Sequence, residues 1–193
     1  MRFLAAATLF AAFMLTADGA AFADPADDIN VAIKAFAALK SVHVDITAAV
    51  GSATQDMVNP NKSKETYSFM GREIQIVKIG PDRWINVTGQ WRKAHSSTSA
   101  SPIDSQIDMA NSLVLEQKDV RGSYTVSDGG SVTIGTVSAH KYHLADKDSS
   151  SRQGDVFIGP GQLPLRIVID STSGPITYTY SNYNNVADIS API

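Results

Sequence analysis

The chain opens on an apolar run, Phe3 to Leu15, interrupted only by Thr8, behind Met1 and Arg2. The run is about 13 residues, short of the about 20 that span a bilayer. Ala21-Phe22-Ala23 follows as a small-x-small cleavage site. Residues 1–23 are therefore expected to be a secretory signal peptide, cut before Asp24. Past that point the period becomes helical. Ile29, Ile33 and Phe36 fall at i, i+4 and i+7, with Ala32, Ala37 and Leu39 filling the stripe. Asp24-Pro25-Ala26-Asp27-Asp28 puts acidic residues at the positive end of this helix. From Val42 the period drops to two. Val42, Val44, Ile46, Ala48 and Val50 alternate with His43, Asp45 and Thr47, a strand with one covered face. Gln55 to Lys64, with Asn59-Pro60-Asn61, reads as a polar turn.

Short strands follow over Glu65 to Met70, Glu73 to Ile79 and Arg83 to Val87. Gly89-Gln90 turns the chain into Trp91-Arg92-Lys93. A Ser/Thr-rich connection leads to a second helical pattern from Pro102, with Ile103, Ile107, Ala110 and Val114 in one stripe and Met109 and Leu113 beside it. Strands resume at Gly122 to Ser127, and Asp128-Gly129-Gly130 signals a hairpin into Ser131 to Ile134. Thr136 to Ala145, Asp155 to Ile158, Pro164 to Asp170 and Ile176 to Tyr183 complete the series. Hairpin-length connections imply an antiparallel sheet of about nine or ten strands. Two helices are too few to cover such a sheet laid flat. The expected fold is α+β, a curved antiparallel sheet (half-barrel) wrapped around two or three helices, forming a single domain over residues 24–193.

Composition narrows the chemistry. The formal net charge is −3, and removing the leader takes out Arg2 and Asp18 together, so the balance holds. That leaves no electrostatic footprint for nucleic acid or an anionic membrane. No second long apolar run marks a transmembrane segment. The chain has no cysteine, which excludes disulfides, thiolate metal sites and a lipid anchor on the mature N-terminus. His140 and His143 resemble a metal pair, but positions three apart in a strand face opposite sides. Gly-x-Ser-x-Gly is absent. No catalytic, metal or cofactor site is expected. The aromatics are more suggestive: Phe69, Met70, Trp84 and Trp91 cluster along the chain and could line an apolar cavity, with core packing the plainer explanation. Enclosing one lipid tail offsets about 0.8 kcal/mol per methylene otherwise exposed to water. The second helix, through Ile107, Met109 and Leu113, could close such a cavity as a lid.

Three stretches resemble the LolA-like superfamily, which comprises periplasmic lipoprotein carriers and LppX/LprG-type lipid-binding proteins. They are the helix and strand over Ala26 to Val50, the segment Val77 to Lys93 with its Gly-Gln-Trp-Arg-Lys turn, and the close from Leu163-Pro164-Leu165-Arg166 to Ala191-Pro192. The resemblance implies a half-barrel with helices plugging an apolar cavity that binds acyl chains. Two features depart from the family. The mycobacterial members are commonly anchored through a cysteine, and for the carriers' buried arginine Arg83 is only a positional candidate. The expectation is a periplasmic or secreted monomer that binds a lipid or the acyl chain of a lipoprotein. Two alternatives stay open: an envelope sensor or scaffold of the same fold with a protein partner, and an exported enzyme.

Overall fold

The computed structural model describes residues 24–69, 71–94, 119–149 and 153–192. The helix expected from Pro102 lies outside them, as does the signal peptide. Among the described residues there is one α-helix, α1 (Pro25–Ala37). It begins where the sequence says it should. The Asp24 carboxylate accepts the Ala26 N–H at 3.0 Å, Pro25 occupies the first turn, and Asp27 and Asp28 sit at the positive dipole end. Ala26, Ile29, Ala32 and Ile33 form the buried stripe. The helix start is tied to the segment before the later strands. Arg121 reaches Asp24 at 3.0 Å and Asp27 at 2.6 Å. Asn30 donates to Asp119 at 2.9 Å and accepts the Val120 N–H at 3.1 Å.

Eleven strands follow: β1 (Ser41–Ala48), β2 (Gly51–Val58), β3 (Lys62–Phe69), β4 (Arg72–Ile79), β5 (Asp82–Asn86), β6 (Trp91–Ala94), β7 (Tyr124–Ile134), β8 (Val137–Asp146), β9 (Gln153–Ile158), β10 (Pro164–Ile169) and β11 (Ile176–Ser181). They make one curved, open antiparallel sheet in the order β6-β5-β4-β3-β2-β1-β11-β10-β9-β8-β7. The expected fold class is the observed one. Three local readings change. The stretch Gln55 to Lys64 is not one long turn but the end of β2, a short turn and the start of β3. The strand read to Val50 stops at Ala48. Asp128-Gly129-Gly130 is not a hairpin: β7 runs through it with a bulge, Gly130 supplies the positive φ of 77°, and the chain reverses at Gly135.

Register assigns each side chain to a face. Val44 of β1 pairs with Gln55, which pairs with Glu65, then Ile76, Ile85 and Arg92. On the other side Val44 pairs with Tyr180, and Ile46 pairs with Tyr178, which leads on to Ile167, Val156 and Tyr142. This is the inner face, because α1 packs on it: the Phe36 and Tyr180 rings meet edge-on at 5.6 Å, and Tyr142 donates to Asp28 at 2.6 Å. The buried core, including Ile29, Val44, Tyr67, Ile76, Leu144, Ile167 and Tyr178, is continuous there. The outer face carries His43, Asp56, Lys64, Val77 and Trp84. The C-terminal segment crosses it. Asn184 ties it to Lys40 and Ser41, Lys62 meets Asp188 at 2.6 Å, and Ile189 is buried.

Candidate functional site

The inner face divides into two parts. α1 lies near β7 and the turns Val120–Gly122 and Pro160–Gln162, so it covers the half built from the later strands. The apolar surface continues past it across β3, β4 and β5 through Tyr67, Ile74, Ile76 and Ile85. At its far end a cleft of about 330 Å³ is lined by Ile85, Val87, Thr88, Gln90, Arg92 and Ala94. Ile85, Arg92 and Ala94 all stand on the inner face, so the cleft prolongs the apolar trough to the edge strand β6.

A polar cluster interrupts this trough. Glu65 is 1% exposed. Its carboxylate accepts from Tyr67 at 2.6 Å, Ser63 at 3.1 Å and Gln55 at 3.2 Å, and faces the Lys78 ammonium at 3.0 Å. A buried carboxylate needs such a set of partners to remain in the interior. The sequence reading missed this group, because it began the strand at Glu65 and so placed the residue at an end. The signal was present in the alternation Ser63, Glu65, Tyr67, which puts all three on one face.

A second polar group lies at the mouth of the helix. His140 meets Asp128 at 2.6 Å, and a cleft of about 430 Å³ there is lined by residues including Asp28, His140, Tyr142 and Gln162. Burial and the Asp28 contact push the Tyr142 hydroxyl above the ordinary tyrosine range. His143 faces Asp155 at 3.0 Å on the outer side, so the two histidines do point to opposite faces. No group of three or more potential metal ligands occurs among the described residues.

The register separates the residues singled out in the sequence. Trp84 pairs with Val77 and Lys93, and Trp91 pairs with Asn86, so both tryptophans stand on the outer face rather than beside Ile76 and Ile85. A period of two decides this: Trp84 is one position from Ile85, and Trp91 one from Arg92. The Lys93 ammonium lies 5.4 Å from the Trp84 ring centre. Trp91 lines an outer cleft of about 320 Å³ with Lys64, Val77, Asp188, Ile189 and Pro192. Phe69 ends β3, at the register position two beyond Tyr67 and opposite Arg72. Met70, Ile107, Met109 and Leu113 lie outside the described residues. Arg83, the positional candidate for the carriers' buried arginine, is half-buried on the inner face opposite Lys78.

An open antiparallel sheet with a helix against its inner face defines a class that solved structures share. LppX, a lipoprotein of Mycobacterium tuberculosis, matches with a TM-score of 0.65 at 20% identity, over 86% of this chain and 98% of that one. LprF from Mycobacterium bovis matches with a TM-score of 0.64 at 15% identity, over 87% and 96%. A LolA superfamily protein from Nitrosomonas europaea aligns over 87% and 96% at 11% identity, with a TM-score of 0.37. The chain shares the fold of LppX and LprF. No family model matches the sequence, and no curated protein does.

Proposed function

We propose that this protein is an exported binding protein or carrier for the acyl chains of a lipid or lipoprotein, without covalent chemistry. The supporting observation is the apolar inner face that runs beyond α1 through Tyr67, Ile74, Ile76 and Ile85 to the cleft at β6. A trough of this kind offers an acyl chain the burial that water denies it. The resemblance to the lipid-binding members of the LolA-like superfamily points the same way. In this reading Phe69 and Met70 border the trough, Ile107, Met109 and Leu113 form a lid over it, and the chain is cut after Ala23. Cleavage there spares Asp24, which caps α1.

The test is native mass spectrometry of protein purified from the bacterial envelope without detergent, followed by organic extraction. A bound phospholipid or acylated species is the expected result. Protein that stays free of lipid, and takes up none from vesicles, would sink the reading.

A second reading, an envelope sensor or scaffold, draws on the outer face, where Val77 and Trp91 line a cleft with the C-terminal segment and Trp84 pairs with Val77. Recovery of one stoichiometric envelope protein by lipid-free bait, lost on Trp91→Ala, would favour it over the carrier.

A further inference from the structure

The inner face of β4, β5 and β6 is apolar along its middle and cationic around it. Register places Arg72 and Lys78 of β4, Arg83 of β5 and Arg92 of β6 on the same side as Ile74, Ile76 and Ile85. The acidic residues of these strands go the other way. Glu73 pairs with Ser68 and Asp82 with Ile79, both on the outer face, where Asp82 meets Lys93 at 2.7 Å. Among the described residues of β2 to β6, the inner face therefore sets four cations against one carboxylate, Glu65. Arg92 is exposed, forms one wall of the cleft with Ile85, Val87 and Ala94, and makes no ion pair among the described residues. A guanidinium on an apolar wall suits neither a wholly neutral chain nor a small soluble anion. It suits an amphiphile whose tail lies on the isoleucines and whose anionic end meets the arginine fork.

We propose that the ligand of the inner face is an anionic amphiphile, an acyl chain bearing a phosphate or carboxylate, with Arg92 the first contact of its charged end and Arg83 the second. The proposal rests on the acyl-binding reading above and adds the charge of the head group. Its test is extraction of lipid by the full protein from phosphatidylcholine vesicles carrying a small fraction of phosphatidylglycerol, fatty acid or diacylglycerol with identical chains. Lipid bound per protein is measured after the vesicles are removed. The wild-type protein is expected to prefer an anionic lipid to diacylglycerol by about tenfold, the scale of one charge-assisted hydrogen bond. Preference for phosphatidylglycerol identifies a phosphate head, and preference for the fatty acid a carboxylate. Arg92→Gln should bring the preference close to one while diacylglycerol uptake persists, and Arg83→Gln should reduce it less. Lys93→Gln, on the outer face, should leave it unchanged, which separates the inner site from general attraction to an anionic vesicle. Equal uptake of anionic and neutral lipid by the wild type, or an undiminished preference in Arg92→Gln, overturns the head-group assignment alone. Uptake of none of the three lipids overturns the acyl-binding reading and this proposal with it.

Discussion

Glu65 shows what a single buried charge demands. Tyr67, Ser63 and Gln55 donate to it and Lys78 sits beside it, so removing the carboxylate takes one acceptor from three hydrogen bonds and an ion pair at once. Breaking a buried pair costs about 3–5 kcal/mol. The Lys78 side chain is 38% exposed and can turn to water, so Glu65→Ala is expected to lose about 2–4 kcal/mol by urea unfolding. Glu65→Gln keeps an acceptor for Tyr67 and should lose less, about 1–2 kcal/mol. His43 works in the opposite electrostatic sense. Burial alone would lower its pKa, but Asp56 at 2.6 Å and Asp45 at 3.4 Å outweigh it, and the pKa is raised. The folded state then holds the proton more tightly than the unfolded chain. This contribution to stability is full below about pH 6.5, the unfolded value, and is lost as pH rises through the folded one. Thermal unfolding of His43→Gln against wild type from pH 5 to 9 should show that part of the slope removed. The pairing was not legible in the sequence, because His43 and Asp56 meet only through the β1–β2 register.

At the scale of the element, α1 and β1 were legible because their signals are local: a cap, a stripe at helical spacing, an alternation. Errors fell where one residue type serves two geometries. The Asp-Gly-Gly of β7 has the composition of a hairpin turn, yet Gly130 takes its positive φ in a bulge, and Asp128 accepts the Gly130 N–H at 2.6 Å to hold it there. The segment Gln55 to Lys64 is polar because it combines the turn at 59–61, outward residues such as Asp56 and Lys64, and the inward Gln55 and Ser63 that donate to Glu65. Gly154 makes a further demand on its element. It sits in β9 opposite Leu144 and Ile169, and an added Cβ would stand 2.4 Å from the Val168 carbonyl oxygen. Backbone cannot yield as a side-chain tip can. Gly154→Ala should therefore destabilise the protein by about 1–3 kcal/mol, read as a lowered urea midpoint with an unchanged slope.

For the molecule as a whole, the sheet and its helix-bearing face were legible, and the side of the sheet on which the two tryptophans stand was not. Sequence proximity to Ile85 brought the tryptophans near the trough, and register carried them to the other side. That has an optical consequence. Both tryptophans of the chain lie on the outer face, so a ligand in the trough should leave tryptophan emission unchanged. Truncation after Asn185 should shift it to the red, since it uncovers Trp91, at a cost of about 1.5–3 kcal/mol for the lost burial of Ile189. An emission shift on lipid uptake without truncation would contradict the placement. The strand order carries a consequence for how such a chain is made. Among the described residues β1 to β6 pair only with their neighbours in sequence, as do β7 to β11, and one long-range seam, β1 with β11, joins the two meanders. A chain synthesised N-terminus first completes the first meander early, and β1 then presents a bare edge until residues 176–181 emerge. Nascent chains halted before Ile176 should self-associate through that edge, and chains released beyond Ser181 should not, so the last strand acts as the guard against aggregation during biogenesis.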